Sequence, residues 1–234
     1  MKICYLGIEA RRQYLQAAAA PGTIVENMAD YTPKHPKPIS IESLYEEYLS
    51  TPRLFEMVQE AEKRGYDAVL TGCLGDPGVD AARELVNIPV IGPGEASLHT
   101  ACMLGYRFSV ICPVESTIRS TRMQVVKAGL ESRLASLRSL DESVVDIRKG
   151  EESTYQKLLT ITKACVDVDG ADVVILGCAS LAFAFGDRLA KDVDFPVVNG
   201  LRLSLKMAEM LVGTGLSHSK VAFPLPPKLA EAGS

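Results

Sequence analysis

The chain has 234 residues, of which 47% are apolar, 6% aromatic and 23% charged, and its formal net charge is −4. This composition is typical of a globular protein and excludes a disordered or fibrous one, while the negative charge offers no basic field to nucleic acid or to an anionic membrane. No apolar run is long enough to span a bilayer and no signal-peptide pattern is evident, so we expect a cytoplasmic protein.

Short apolar runs alternate with amphipathic stretches along the chain. The runs are rich in β-branched residues and apolar throughout, as expected of parallel strands that are covered on both faces. In chain order, the predicted strands are 3–6, 68–71, 90–91, 108–111, 173–176 and 197–198. Strands that alternate with helices in this way predict an α/β fold with a mostly parallel sheet.

Two of the predicted helices have starts that can be identified from sequence. Thr51 followed by Pro52 has the pattern of an N-cap and a first helical residue, and Gly65 is positioned to end that helix. Asp76 followed by Pro77 repeats the N-cap pattern at the start of the next helix. We therefore expect helices to begin at 52 and at 77.

The two halves of the sequence resemble each other. Residues 67–73 (Asp-Ala-Val-Leu-Thr-Gly-Cys) match residues 172–178 (Asp-Val-Val-Ile-Leu-Gly-Cys) at a separation of 105 positions. The strand at 2–6 matches 107–111 at the same separation. Any two βαβ units share strands rich in Val and Ile, but that similarity does not readily place a Gly-Cys pair at the end of both. The spacing therefore indicates two related halves.

A third matched segment supports a division into two lobes. Pro89 corresponds to Pro196 at a separation of 107, which a two-residue insertion in the connecting helix explains. We predict one α/β lobe formed by residues 1–97 together with 205–234, whose C-terminal helix packs back onto it, and a second lobe formed by residues 98–204.

Two of the six cysteines occupy equivalent places in these halves. Cys73 and Cys178 each follow a predicted strand, at the sheet edge where open α/β proteins bind ligands. A thiol beside the N–H groups of a helix start lies in a positive partial field, which favours the thiolate. Gly72 and Gly177 precede them and would let a substrate approach the backbone. If the lobes pack about a pseudo-twofold axis, the two thiols face one cleft.

Two opposed thiols suit the inversion of a stereocentre. One thiolate removes a proton next to a carbonyl, and the other thiol returns a proton to the opposite face, while backbone N–H groups stabilise the charge on the carbonyl oxygen. This chemistry requires no metal and no organic cofactor. A packing role is equally consistent with the local sequence at either position. We assign that packing role to the remaining cysteines, Cys4, Cys102, Cys112 and Cys165.

Several motifs resemble one known family. Residues 73–78 (Cys-Leu-Gly-Asp-Pro-Gly) with 80–84, residues 89–92 (Pro-Val-Ile-Gly), and residues 175–179 (Ile-Leu-Gly-Cys-Ala) are similar to the hydantoin racemase branch of the aspartate/glutamate racemase superfamily. The resemblance covers roughly residues 38–212. Two cysteine motifs at this separation are specific to that family.

The resemblance implies a fold of two pseudo-symmetric Rossmann-like (flavodoxin-like) halves with mostly parallel sheets and the active site in the cleft between them. It also implies racemisation or epimerisation of a small molecule without pyridoxal phosphate, with Cys73 and Cys178 as the catalytic acid/base pair, in a homo-oligomer. The candidate substrate-binding residues lie beside the two thiols and at the ends of the first strands of the two lobes: Gly7, Ile8, Glu9, Gly72, Leu74, Gly75, Pro113, Ser116, Thr117, Arg119, Ala179 and Ser180.

The first strand departs from the family pattern. Where the family has a run like Asn-Pro-Asn-Thr-Ser that helps to hold the substrate, this chain continues Tyr-Leu-Gly-Ile-Glu-Ala-Arg over residues 5–11. The amide and hydroxyl groups are missing, and Glu9 and Arg11 stand nearby. The sequence therefore leaves three candidate substrates: a substituted hydantoin, allantoin and an amino-acid relative.

Two alternatives to racemisation are also consistent with the sequence. One is a relative that keeps the fold and one or both thiols but acts as a decarboxylase or a cis–trans isomerase. The other is a non-catalytic protein that binds a small molecule between two α/β lobes. Product analysis and thiol reactivity distinguish these alternatives from a racemase.

Overall fold

The computed structural model describes residues 1–36 and 38–232; residues 233 and 234, which end the first predicted lobe, lie outside the described residues. The strands are β1 (Lys2–Tyr5), β2 (Ile24–Glu26), β3 (Ala68–Leu70), β4 (Val90–Ile91), β5 (Phe108–Cys112), β6 (Leu134–Ser139), β7 (Val173–Leu176) and β8 (Val197–Val198). The helices are α1 (Glu9–Ala18), α2 (Leu44–Lys63), α3 (Val79–Leu85), α4 (Pro93–Leu104), α5 (Ile118–Lys127), α6 (Val144–Ile147), α7 (Glu152–Asp167), α8 (Ala179–Asp192), α9 (Gly200–Gly213) and α10 (Pro227–Ala232). Across the described ranges, no helix combines the length and the hydropathy needed to cross a membrane.

The strands form two parallel sheets with the same topology. Their orders are β2-β1-β3-β4 and β6-β5-β7-β8, so each strand of the first sheet has its counterpart in the second. The register repeats as well: Ile3 pairs with Ala68, and Phe108 pairs with Val173, at positions 105 residues further on. The expected fold of two Rossmann-like halves is confirmed.

Two helices link the halves by packing on the opposite sheet. Helix α4, which follows β4, packs on β7 and β8, whereas α9, which follows β8, packs on β3 and β4 and against α4. Leu201 and Leu205 of α9 share one buried core with Leu70 and Ile91. The predicted lobe boundaries, at 97/98 and 204/205, fall within these two linking helices.

The strands that sequence analysis missed are the edge strands β2 and β6. All six predicted strands are present, and three of them have the predicted bounds. Strand β2 is only three residues long, and every residue of β6 is half-buried. Neither has the continuous apolar pattern of the predicted strands, since β2 contains Glu26 and β6 contains Ser136, Arg138 and Ser139.

The second helix begins earlier than expected. Ser43 is its N-cap and accepts a hydrogen bond from the Glu46 N–H at 3.3 Å. Pro52 therefore lies inside α2, where it cannot donate to the Tyr48 carbonyl. The Thr51 hydroxyl donates to that carbonyl instead, at 2.8 Å. The expected N-cap at Thr51 and start at Pro52 are wrong, because the Thr51 hydroxyl replaces the missing donor and the helix continues through Pro52.

Candidate active site

Both cysteines at the strand ends face one cavity. Cys73 follows β3 after two residues, and Cys178 follows β7 after one. Their side chains line the same cavity of about 350 Å³, which lies at the carboxyl edges of the two sheets. This volume is in the range of small-molecule sites. All six cysteines lie in the described part of the chain, and all are free thiols.

The glycine before each cysteine is required by the neighbouring strand. A Cβ atom at Gly72 would lie 3.0 Å from the Leu6 carbonyl oxygen, and one at Gly177 would lie 2.8 Å from the Ile111 carbonyl oxygen. The contact at Gly177 is too close for a side chain, and the contact at Gly72 is tight enough that a side chain would displace the neighbouring backbone, so glycine packs best at both strand ends. This packing explains why the Gly-Cys pair occurs in both halves.

Each sulfur accepts a hydrogen bond from the backbone N–H of the second residue after its cysteine. The Ser180 N–H donates to the Cys178 sulfur at 3.3 Å. Two residues after Cys73, the Gly75 N–H also acts as a hydrogen-bond donor and lowers the pKa of that thiol. A donor at the second residue after each cysteine stabilises negative charge on sulfur.

The surroundings of the two thiols nevertheless differ. Burial raises the pKa of Cys73 to about 12, against the Gly75 hydrogen bond, and the charges of Cys178, Asp76 and Glu47 raise it further. Cys178 is the N-cap of α8, where the helix dipole favours negative charge. The expected positive field is therefore present at Cys178 and absent at Cys73, since α3 begins only at Val79.

Asp76 does not cap the helix that follows it. Gly78 is the N-cap of α3, so the expected start at Pro77 is wrong. With φ at 48°, Asp76 instead directs its carboxylate to the N-terminus of α4, where it accepts from the N–H groups of Gly94 at 3.1 Å and Glu95 at 2.6 Å. Burial raises its pKa to about 7. The carboxyl thus fixes the turn that carries Cys73 against α4.

The floor of the cavity is polar and is formed by Arg11, Ser180, Tyr5 and Thr71, of which only Ser180 is a binding residue predicted from the sequence. Arg11 is 6% exposed and donates from Nη2 to the Ser180 hydroxyl at 2.6 Å. The Tyr5 and Thr71 hydroxyls are also buried at this lining. Tyr5 lies within hydrogen-bonding reach of Arg11, which lowers the pKa of its hydroxyl against burial, whereas the Thr71 hydroxyl has no hydrogen-bond partner within the described residues. The signal in the sequence is that Arg11 shares a helix face with the buried Leu15.

The rim of the cavity is formed by α2 and the loop before it. Glu47, Ser50 and Arg53 of α2 contribute to the lining, as do residues 38–41. Burial raises the pKa of Glu47, and a hydrogen bond from Ser120 opposes that shift. Glu47 lies near Gly75, so it places a carboxyl group on the Cys73 side of the cavity.

The structure places the residues predicted from sequence in two groups. Those that line the cavity are Gly7, Gly72, Cys73, Leu74, Gly75, Pro113, Thr117, Cys178, Ala179 and Ser180. Those outside the lining are Ile8, Glu9, Ser116 and Arg119. Because α1 begins at Glu9, that side chain points outward and binds Arg12. Ser116 donates to the Glu42 carbonyl at 2.6 Å.

Comparison with known proteins agrees with this architecture. A family model described as Asp/Glu/Hydantoin racemase matches residues 9–208. The chain is 37% identical over 184 residues to a hydantoin racemase of Pseudomonas sp. (strain NS671), covering 79% of this chain and 74% of that protein. It is 34% identical over 184 residues to a hydantoin racemase of Rhizobium meliloti, covering 79% and 76%. An allantoin racemase structure from Klebsiella pneumoniae superposes with a TM-score of 0.87 at 28% identity, covering 97% of this chain and 94% of that one.

The paired parallel sheets and these similarities define the class of protein: it is an isomerase of the racemase type. The match to the family model extends over most of the chain, including both strand-end cysteines. The chain belongs to the Asp/Glu/hydantoin racemase family.

Proposed function

We propose that this chain is a cofactor-independent racemase or epimerase in which Cys73 and Cys178 are an opposed acid/base pair. Its substrate is a small molecule with an acidic C–H next to a carbonyl. The observation that carries the proposal is the position of both thiols, at equivalent strand ends of two similar sheets, on one cavity. A duplicated scaffold supplies the two faces from which a stereocentre can be approached.

The reaction consists of two proton transfers. A thiolate takes the proton from the stereocentre, so a C–H bond breaks, an S–H bond forms, and the electron pair delocalises onto the carbonyl oxygen. The thiol on the other face then gives its proton to the same carbon, which re-forms the C–H bond with inverted configuration. The protein ends with thiol and thiolate exchanged, and no atom is gained or lost.

The unequal surroundings assign starting roles to the two cysteines. With a pKa of about 12, Cys73 begins as a protonated thiol, which suits the acid. Cys178 begins beside the N-terminus of α8 and accepts from the Ser180 N–H, which suits the base. In this proposal Cys178 removes the proton from the first enantiomer, and Cys73 delivers one to the other face.

The candidate substrates are hydantoins, allantoin and amino-acid relatives. Each has an acidic C–H beside a carbonyl and is small enough for a cavity of about 350 Å³. The relatives named above are hydantoin racemases and an allantoin racemase, which supports a cyclic ureide as the first class to test.

The test is racemisation in deuterated water of single enantiomers from these three classes. In the parent protein we expect loss of optical rotation together with incorporation of deuterium at the stereocentre. In Cys73→Ser and in Cys178→Ser the optical rotation should persist, and deuterium should enter only the enantiomer that the remaining thiol faces. The matched control is Cys102→Ser, because Cys102 is a free thiol that does not line the cavity. Full activity in both strand-end variants would overturn the two-thiol mechanism.

The same samples separate the alternatives. A product of lower mass would indicate decarboxylation, and a product of unchanged mass with altered double-bond geometry would indicate cis–trans isomerisation. Binding of a substrate without any exchange at carbon would indicate a binding protein. Each of these results contradicts the proposed racemase.

A further inference from the structure

The floor of the cavity contains a buried cation with unused hydrogen-bonding capacity. Arg11 is 6% exposed, and Nη2 donates to the Ser180 hydroxyl at 2.6 Å. Its Nε atom is buried and has no hydrogen-bond partner in residues 1–36 and 38–232. Burying an N–H of a charged group without an acceptor is unfavourable, so this donor favours a ligand acceptor.

The charge of Arg11 is also uncompensated at this floor. A guanidinium keeps its proton in proteins, and an unpaired buried charge strongly destabilises its surroundings. Among the described residues no carboxylate lies within ion-pair distance of Arg11. The carboxylate that lines this cavity, Glu47, lies by Gly75 on the Cys73 side.

Two further hydroxyl groups, those of Tyr5 and Thr71, are buried on the same lining as the guanidinium. Arg11 lies within hydrogen-bonding reach of the Tyr5 hydroxyl, and its charge and that interaction lower the pKa of the hydroxyl against the larger effect of burial. The Thr71 hydroxyl has no partner in the part of the chain that the structure describes. One fixed cation with nearby hydroxyl donors is the arrangement that binds a carboxylate.

We infer that the Arg11 guanidinium binds a carboxylate group of the substrate, so that the protein acts on an anionic substrate in preference to a neutral one. The inference rests on the proposed function only in identifying the bound anion as the molecule that reacts. The Ser180 hydroxyl holds the guanidinium two residues from Cys178, which places the carboxylate end of the substrate on the side of that thiol. Glu47 on the other side repels a second carboxylate.

Arg11 at the floor of the cavity is more deeply buried than the two arginines at the rim. Arg53 is half-buried and donates to the His35 carbonyl at 3.3 Å, and Arg148 is exposed. Solvent screens both of these charges more effectively than that of Arg11. A substrate anion is therefore recognised at the floor, beside the reacting carbon, and the rim contributes mainly to attraction at a distance.

The experiment compares matched pairs of ligands that differ only in one charge. One pair is a hydantoin whose side chain ends in a carboxylate and the same hydantoin with a terminal carboxamide. The other pair is N-acetylphenylalanine and N-acetylphenylalaninamide. Binding is measured by calorimetry on the full chain carrying Cys73→Ser and Cys178→Ser, so that turnover is not needed, and exchange in deuterated water is measured on the parent.

We expect the carboxylate member of at least one pair to bind roughly 10- to 100-fold more tightly than its amide, as a charge-assisted hydrogen bond gives. Arg11→Gln should reduce that ratio to about twofold or less, and Arg11→Lys should restore part of it. Arg12→Gln is the matched control, since it removes the same charge from the same helix at a residue that binds Glu9 on the surface. A ratio within one variant is insensitive to a general loss of stability.

Three results would overturn the inference: equal binding of both members of each pair, a preference that survives Arg11→Gln, or no binding of either carboxylate at millimolar concentration. If the carboxylate preference is present but no exchange occurs at carbon, the racemase proposal fails and the anion site stands. If neutral and anionic substrates exchange at equal rates, the anion site fails and the racemase proposal stands.

Discussion

The two strand ends that carry cysteine share a backbone and differ in their surroundings. At both, a glycine packs beneath the carbonyl of the neighbouring strand, and a backbone N–H two residues later faces the sulfur. Cys178 then begins a helix near Arg11, whereas Cys73 is followed by a turn near two carboxyl groups. The two similar sheets thus place both thiols on one cavity, and the segments that follow the strands give the two thiols different surroundings.

Removing one thiol at a time should have the largest effect on the racemisation rate. Cys73→Ser and Cys178→Ser should each reduce racemisation roughly 10²- to 10⁴-fold, as expected when a positioned acid or base is removed. Each variant keeps one thiol, so each should still exchange deuterium into the enantiomer that its remaining thiol faces. Mass spectrometry after chiral separation measures this one-sided exchange.

If Cys73→Ser and Cys178→Ser both exchanged deuterium into the same enantiomer, the two thiols would not act on opposite faces of the substrate. Cys102→Ser controls for removal of a thiol as such, because that residue lies outside the cavity lining.

Reactivity towards an alkylating agent should separate the two thiols next. With its pKa at about 12, Cys73 is almost entirely protonated at neutral pH, so its alkylation should accelerate about tenfold for each pH unit between about pH 7 and pH 9 without reaching a plateau. Cys178, at a helix N-terminus and with the Ser180 N–H facing its sulfur, should be alkylated faster than Cys73. Peptide mass spectrometry after iodoacetamide treatment measures both rates in one sample.

Equal rates at the two cysteines throughout this range would show that the segments after the strands do not distinguish them. Alkylation of Cys4, which is fully buried in the core, serves as the internal reference for unfolding.

The carboxyl group beside Cys73 has no counterpart in the second lobe. The position 105 residues after Asp76 is Leu181, which is fully buried. Asp76→Ala leaves the N–H groups of Gly94 and Glu95 without their acceptor, so unfolding free energy should fall by about 1–3 kcal/mol. Denaturant unfolding measures the change.

Asp80→Ala is the matched control for this substitution. Asp80 is exposed and forms ion pairs with the exposed Lys127 and with the buried Arg83, which also pairs with Glu95, so removal of Asp80 should change stability by about 1 kcal/mol or less. An equal effect of the two substitutions would show that Asp76 does not fix the Cys73 turn.

The smallest expected difference is in the stability lost on substitution of Gly72 and of Gly177. Gly72→Ala and Gly177→Ala should each destabilise the fold by about 1–3 kcal/mol through overpacking. Gly177→Ala should be the more severe, since its Cβ atom meets a carbonyl oxygen at 2.8 Å against 3.0 Å at Gly72. Gly213→Ala, in a helix with open space around it, should stabilise the protein slightly. Thermal unfolding of the three variants tests the order, which reversal of the first two would contradict.

The sequence contained enough to predict the duplicated core, since residues 67–73 and 172–178 carry it in their apolar pattern and their Gly-Cys ends. It did not reveal the edge strands β2 and β6, because their conformation depends on pairing with β1 and β5 more than on local hydrophobicity. The start of α2 was missed because the Thr51 hydroxyl compensates for Pro52, which local pattern does not show.

The cavity floor was difficult to predict for another reason. Arg11 contacts Ser180 across 169 positions of sequence, so its role depends on how the lobes pack. Its place on a helix face with the buried Leu15 was a local signal, but an arginine on such a face usually extends its charged end to solvent. Only the packed structure shows that the guanidinium is buried.

The proposed mechanism requires that the two thiols act from opposite faces of the stereocentre. Its most direct test is the deuterium content of both enantiomers during the first few per cent of reaction in deuterated water, starting from one enantiomer of a turned-over substrate. We predict that the newly formed enantiomer carries deuterium at the stereocentre while the remaining starting enantiomer stays protiated. Product that retains the original proton, or equal deuterium in both enantiomers from the start, would contradict the account, because either result requires a single base.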